Sequence, residues 1–128
     1  MILKLLTELN QKYMKKNNLN NNAKLSWTFL DGSKRVTGIL ETVAIGKGKY
    51  LPGWQWSKHA GKITGKKSET HIGYILSGEM IIKNHNGKKI KVGQNEIFEV
   101  GPNHDAYVSG NTPCIALDFT HLKKTKIL

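Results

Sequence analysis

Histidine is the residue type of this chain with the widest range of chemistry, and it occurs at His59, His71, His85, His104 and His121. A neutral imidazole binds divalent transition metals and exchanges protons near neutral pH. His85 stands beside Asn86-Gly87, a dipeptide typical of a hairpin tip. His121 follows the last apolar run and precedes a lysine-rich end. We therefore assign these two to the surface and the other three to a candidate site.

Strand alternation gives His71 two companions. Near the start of an apolar run it puts Glu69, His71 and Gly73 on one face, and Ile72 and Tyr74 on the other. Imidazoles from separate segments with a carboxylate nearby are typical of a divalent metal site.

The other two candidate histidines follow turns or loops. His104 comes after Gly101-Pro102-Asn103, and His59 after Trp54-Gln55-Trp56-Ser57. Taken one at a time, each of the three histidines fits an ordinary hydrogen-bonded core or surface position better than a metal site.

Short apolar runs separated by turn residues must position these side chains. They span residues 24–30, 36–45, 49–51, 54–56, 70–76, 79–84, 88–92, 96–100, 105–109 and 114–119. Many short strands with frequent turns, and no helix among them, predict an all-β sandwich or barrel. The stretch 73–80 is predicted to be a hairpin turning at Ser77-Gly78, and Asn86-Gly87 a second hairpin turn.

The chain divides into three parts. Apolar residues at helical spacing predict a short amphipathic helix over residues 1–16, and an Asn-rich linker carries the first part to residue 22. Residues 23–122 form the predicted barrel, and 123–128 a basic tail. A length of 128 residues suits one domain with its own core.

Composition narrows the class of protein. No apolar run approaches the roughly 20 residues that a membrane helix needs, so no membrane role is expected. The single cysteine, Cys114, excludes an internal disulfide, which favours a cytoplasmic location. It lies in an apolar run, where a buried, inert thiol is expected.

The net charge of +11 raises the question of nucleic acid. Arg35 is the only arginine, the lysines are scattered, and basic residues do not alternate with aromatic ones. We therefore expect no nucleic-acid partner. The charge does favour a small anionic ligand over a cationic one.

At this point the sequence resembles a family, the cupins, over roughly residues 36–120. Gly93, Gly101 and His104 fall in the register of the second cupin motif, with Glu99 in place of the usual proline and Val108 in place of the usual Asn. In the first motif a ligand is followed by six residues and a glycine.

Two departures mark the first motif of this chain. Gly78 is the motif glycine, and His71 occupies the ligand position in place of an acid. The usual His-x-His pair is missing near residues 64–67. The sequence is most similar to a subgroup of small single-domain cupins.

The resemblance implies a double-stranded β-helix, or jelly-roll barrel, and a class of site. His59, carried by the loop 57–68, then replaces the missing pair and binds a divalent transition metal (Fe, Mn, Ni or Zn) with His71 and His104. Glu69 is a further candidate ligand, and the ligand pocket is formed by Trp54, Trp56, Tyr74 and Tyr107.

The resemblance leaves two functions open. One is a metal-dependent enzyme of the dioxygenase, isomerase or lyase type, acting on a small anionic or oxygenated molecule. The other is a non-catalytic module that binds or senses such a molecule without a metal. A homodimer is expected in either case, since it is common among single-domain cupins.

Overall fold

The computed structural model describes residues 14–20, 25–62, 65 and 68–122. These residues form nine strands: β1 (Ser26–Thr28), β2 (Lys34–Ile39), β3 (Val43–Tyr50), β4 (His71–Ser77), β5 (Glu79–Lys83), β6 (Lys89–Gly93), β7 (Ile97–Val100), β8 (Asp105–Tyr107) and β9 (Cys114–His121). A single π-helical turn, Ser57–Gly61, interrupts them within the described part of the chain.

The strands make two antiparallel sheets. The larger has the order β1-β2-β3-β9-β4-β7 and the smaller β6-β5-β8. One hydrophobic cluster joins them, with Ile75 and Cys114 from the large sheet and Ile82 and Val92 from the small one. The predicted all-β barrel is therefore confirmed. Cys114 is fully buried, as predicted, and burial raises the pKa of its thiol to about 11.

Strand β9 shows how alternation fills the barrel. Cys114, Ala116 and Asp118 are buried, while the residues between them are half-buried on the other face. β9 pairs with β3 along its whole length, from Tyr50 opposite Cys114 to Val43 opposite His121. This strand therefore brings one carboxylate, Asp118, into the interior of the barrel.

The predicted hairpin over residues 73–80 is wrong. β4 pairs with β7 and β9 in the large sheet, whereas β5 pairs with β6 and β8 in the small one. Gly78 lies at the corner between the sheets with a φ of +78°, and a Cβ there would collide with the Pro113 carbonyl oxygen. Glycine is needed at this point because the chain changes sheets there in tight contact with a neighbouring segment.

Three other predictions about the strands also differ from the structure. The run 36–45 is divided by a turn at residues 40–42, where the Leu40 N–H donates to the Val43 carbonyl. β3 in turn continues through Gly46 and Gly48, which separate the predicted runs 36–45 and 49–51. The predicted strand 54–56 contributes only an isolated bridge from Gln55, and the chain then enters the π-helical turn.

The hairpin at Asn86-Gly87 is confirmed. β5 and β6 pair directly, and the Gly87 N–H donates to the Asn84 carbonyl with a φ of +91° at Gly87.

The predicted division into three parts is not tested at the two ends of the chain, where few residues are described. Most of the predicted N-terminal helix lies outside the described residues, and residues 14–18, which are described, have no regular secondary structure. The basic tail 123–128 also lies outside them. Among the described segments no helix is long and apolar enough to cross a membrane.

Candidate functional site

A cavity of about 500 Å³ lies inside the barrel, between the two sheets. Aromatic side chains form much of its wall: Trp27, Phe29, Tyr50, Trp54, Trp56 and Phe98. Its polar groups are those of Arg35, Ser68, Glu69, Thr70, His71, His104, Asp118 and Thr120. Cavities of this size, apolar with a few convergent polar groups, are typical binding sites for small molecules.

A more open depression adjoins the cavity on the outside. It is lined by Ser57, His85 and Asn103, and it shares Trp56, Ser68 and His104 with the cavity. These three shared residues therefore form the boundary between the interior and the solvent.

The polar floor of the cavity is a buried ion pair between β2 and β9. Arg35 donates from Nε to Asp118 Oδ2 at 2.8 Å and from Nη2 to Oδ1 at 2.6 Å. Asp118 is only 4% exposed. Burial would lower the pKa of Arg35, but the hydrogen bonds and charge of Asp118 outweigh it and raise the pKa. The bidentate geometry fixes the guanidinium in one orientation.

Gly46 makes room for this pair. It lies opposite Asp118 in the β3–β9 register, and a Cβ at Gly46 would stand 2.6 Å from Asp118 Oδ1 and 2.7 Å from Arg35 Nη2. A glycine inside a strand often marks such a close approach. The glycine that resembled a turn signal thus serves the site.

His71 enters the cavity from β4 and lies beside the ion pair. Its Nε2 is 3.8 Å from Asp118 Oδ2, too far for a hydrogen bond, and its ring stacks on Phe98 with centroids 6.0 Å apart. Burial lowers the pKa of His71, and this outweighs the charge of Asp118, which would raise it. The imidazole is therefore neutral at pH 7.

His104 is held by the turn before β8. Ser68 Oγ donates to the His104 carbonyl at 2.6 Å and accepts from the His104 N–H at 2.7 Å. His104 Nδ1 lies 3.0 Å from the Gly101 carbonyl oxygen, which can only accept, so Nδ1 carries the proton. Nε2 is then left with a free lone pair. Burial lowers the pKa of His104 as well.

The aromatic wall is closely packed around Trp54. Its ring lies 4.3 Å from Tyr50 and 5.5 Å from Phe29, centroid to centroid. Burial and the charge of Asp118 raise the pKa of Tyr50, so its phenol stays protonated. The buried Nε1 of Trp54 has no hydrogen-bond partner among the described residues. An orphaned buried donor is unusual, since most such groups in native proteins are paired.

Asp105 ties the segment that carries the two tryptophans to β8. Its carboxylate accepts from Gln55 Nε2 at 2.6 Å, from the Ser57 N–H at 3.0 Å and from Ser57 Oγ at 2.8 Å. It also accepts from the Ala106 N–H. Burial would raise the pKa of Asp105, but these four hydrogen bonds outweigh it and lower the pKa. Asp105 is therefore a positioning residue for this wall.

The structure brings five of the eight residues predicted for the site to the cavity. These are Trp54, Trp56, Glu69, His71 and His104. The rings of His71 and His104 lie with centroids 5.8 Å apart, and Glu69 is exposed at the edge.

The other three predicted residues do not line the cavity. His59 Nδ1 lies against the Gln55 backbone, 3.0 Å from its nitrogen, because the π-helical turn directs the ring back along the chain. Tyr74 faces away from His71 and donates to Asn95 Oδ1 at 2.8 Å. The Tyr107 ring contacts Lys89 Nζ, 5.8 Å from its centroid.

The donor set does not fit a divalent transition metal. Over the described residues, which include all four predicted ligands, no three His, Cys, Asp or Glu side chains are grouped to hold one. His59 is directed elsewhere, and both Asp118 oxygens accept from Arg35.

Sequence reasoning missed the ion pair at the floor of the cavity. Two signals pointed to it. Arg35 is the only arginine, and Asp118 is an acid at an inward position of a mostly apolar strand. A charge at such a position needs a partner, and Arg35 is the partner that β2 supplies.

Comparison with solved structures identifies the fold. The match to KdgF from Halomonas sp. covers 89% of this chain and 100% of KdgF, at 14% sequence identity and with a TM-score of 0.60. An RmlC-like cupin from Shewanella frigidimarina covers 91% and 97% at 15% identity, with a TM-score of 0.60. The polyketide cyclase RemF from Streptomyces resistomycificus covers 85% and 80% at 13% identity, with a TM-score of 0.59.

The chain thus has the cupin fold, and the resemblance drawn from Gly78, Gly93, Gly101 and His104 is confirmed for the fold. No protein-family model matches the sequence, and no curated protein matches it either. At sequence identities of 13–15%, structural similarity establishes the fold alone. Function therefore has to be argued from the cavity itself.

Proposed function

We propose that this cupin barrel binds a small oxygen-bearing organic molecule in its internal cavity. The observation that supports the proposal most strongly is the combination of an aromatic wall with the Arg35–Asp118 floor in one space of about 500 Å³. Apolar walls provide most of the binding free energy in such sites, and a few fixed polar groups orient the ligand.

Arg35 is the residue we assign to the ligand's oxygen. A guanidinium has five N–H donors, and Asp118 accepts from Nε and Nη2. The side chain is 32% exposed, so its other donors can reach a ligand in the cavity. Because Asp118 fixes the plane of the guanidinium, the remaining N–H groups are held ready for an acceptor.

His104 is assigned the complementary role. Its Nε2 lone pair can accept a hydrogen bond from a hydroxyl group, since Nδ1–H is already committed to Gly101. A ligand with both a carbonyl and a hydroxyl oxygen would use both residues.

The names of the structural neighbours support a small-molecule role without selecting a reaction. One is a polyketide cyclase, and another, from Silicibacter pomeroyi, is a sugar phosphate isomerase. These are different reactions on different molecules. The proposal for this chain is accordingly binding, with no reaction assigned.

A fragment screen by two-dimensional NMR tests the proposal. We expect oxygen-bearing ring fragments to shift the indole signals of Trp54 and Trp56, which line the cavity. An Ala116→Phe variant should abolish these shifts, because Ala116 lines the cavity and the larger ring would fill it.

Two results would contradict the proposal. One is a screen in which no fragment perturbs the Trp54 and Trp56 signals. The other is unchanged binding by Ala116→Phe protein whose near-ultraviolet circular dichroism matches that of the wild type. If the Ala116→Phe variant does not fold, an Ala106→Leu variant, which fills the same cavity from β8, replaces it in the binding test.

The metal-dependent function stays a separate prediction from the resemblance. The observation in its favour is the close approach of His71 and His104, with centroids 5.8 Å apart. Metal analysis of protein purified without an affinity tag tests it. A stoichiometric metal that is lost in His71→Ala would support it, whereas full occupancy in that variant would exclude His71 as a ligand.

A further inference from the structure

We propose that the ligand of this cavity is an uncharged molecule that contains a planar ring and an oxygen acceptor. This inference rests on the proposed function and specifies its ligand class. The net charge of +11 favours anions at the protein surface, but the cavity differs from the surface in its charge.

The aromatic wall of the cavity indicates that the ligand contains a planar ring. Phe29, Tyr50 and Trp54 form a continuous aromatic cluster, in which Phe29 and Trp54 meet edge to face at 67°. Phe98 lies on the other side of the floor, stacked on His71 at an interplanar angle of 19°. A planar ring between such surfaces gains edge or face contacts that an aliphatic chain of equal size does not.

The Arg35–Asp118 pair at the floor of the cavity indicates that the ligand is uncharged. The positive charge of Arg35 is already compensated by the Asp118 carboxylate. Glu69 adds a second carboxylate at the edge of the cavity. No lysine is among the described residues that line it. An anion would therefore lose its hydration and find no uncompensated positive charge.

A cation is the alternative that the aromatic wall raises, since ring faces attract cations. Arg35 opposes it. The guanidinium lies in the floor with N–H donors still available, and a cationic head group, which has only donors of its own, would leave them unpaired. These donors favour a neutral ligand that offers oxygen.

Three matched probes test the inference. Benzamide, benzoate and benzamidine share a ring and a planar head group, and at pH 7.5 they are neutral, anionic and cationic. In NMR titrations that follow the Trp54 and Trp56 indole signals, we expect benzamide to bind at least about tenfold more tightly than either ion, because the ions lose more hydration.

Asp118→Asn is the matched variant. It keeps the size of the side chain but removes the charge that compensates Arg35, so benzoate should now bind more tightly than benzamide. Glu99→Gln removes an exposed carboxylate of β7 that does not line the cavity and should leave the wild-type order unchanged. Near-ultraviolet circular dichroism shows that each variant is folded. If Asp118→Asn does not fold, the order of the three probes on wild-type protein decides the matter alone.

The outcomes separate the two claims. Tighter binding of benzoate or benzamidine than of benzamide by the wild type overturns the inference on charge and leaves the proposed function standing. Cavity binding of non-aromatic fragments in the screen, with no shift from any of the three probes, overturns the inference on the ring. If neither the screen nor the probes perturb the cavity signals, the proposed function itself fails.

Discussion

Arg35 and Asp118 are the two residues on which the account of the cavity depends. Arg35 reaches from β2 across the intervening strand β3, at Gly46, to Asp118 on β9, and each side chain satisfies the other in a site where an isolated charge would be costly. The pair also leaves guanidinium donors available to the cavity. It therefore contributes to both stability and recognition, and each contribution can be measured.

Replacing Arg35 with Met should destabilise the protein by about 3 kcal/mol, because it leaves Asp118 buried without a partner. We place the loss at the low end of the range for buried pairs, since the Arg35 side chain is 32% exposed. The double variant Arg35→Met/Asp118→Leu should recover most of the loss. Urea unfolding measures both, and a single variant as stable as the wild type would show that the pair contributes nothing.

The two cavity histidines predict how stability depends on pH. Burial lowers the folded-state pKa of His71 and His104 below the ordinary value of about 6.5, so the unfolded chain takes up protons first as the pH falls. Stability should therefore be complete above about pH 6.5 and decrease as the pH falls toward the lowered folded-state pKa values.

Urea midpoints at pH 7.5 and 5.5 test this, with the double variant His71→Gln/His104→Gln expected to show a smaller difference. His85→Gln, at an exposed hairpin tip, controls for the loss of an imidazole. An unchanged pH dependence in the double variant would mean that other groups cause it.

At the residue scale the sequence located part of the site. His71 and His104 could be identified for two reasons. Histidine is chemically versatile, and each of the two lies at a strand start or turn that opens into the barrel. Tyr74 was placed in the pocket although alternation already put it on the face opposite His71, and the structure follows the alternation. Asp118 could not be assigned a role because its partner is 83 positions away in sequence.

At the scale of elements, a glycine can mark a turn or lie inside a strand, and the sequence alone could not distinguish these two roles. Asn86-Gly87 marks a turn, whereas Gly46 and Gly48 lie inside β3. A glycine in a strand leaves space for a large neighbour, and that neighbour is known only from the fold. The turn at residues 40–42 was missed for the opposite reason, since it contains none of the usual turn residues.

The corner at Gly78 predicts a specific difference between two glycines. Gly78→Ala should be destabilising by more than about 2 kcal/mol, because a positive φ is combined with a collision against the Pro113 carbonyl. Gly87→Ala is the matched control. It shares a positive φ, but nothing lies within 4 Å of its added Cβ. Equal losses in thermal unfolding would mean that the contact at Gly78 carries no cost.

The tether from Asp105 predicts an effect on the aromatic wall. Asp105→Asn should cost about 1.5–3 kcal/mol, since it removes a charged acceptor of four hydrogen bonds. It should also broaden the Trp54 and Trp56 indole signals, because the segment that carries them is released. Glu99→Gln, an exposed carboxylate on β7, should change neither. Sharp, unshifted indole signals in Asp105→Asn would exclude the positioning role.

At the scale of the whole molecule, the fold was predictable where the site was not. Frequent turns and short apolar runs establish an all-β barrel, because these patterns depend on neighbouring residues. The contents of the cavity depend on which strands of the barrel lie opposite one another. The expected homodimer and cytoplasmic location stay predictions, and light scattering on the purified protein measures the first.

The most direct test of the account is a crystal structure of the protein with the fragment that shifts the Trp54 and Trp56 signals most. We predict density for the fragment inside the barrel, with one of its oxygens at hydrogen-bonding distance from an N–H of Arg35 that Asp118 does not occupy. A fragment bound outside the cavity, or an interior filled by the protein's own side chains, would contradict the account.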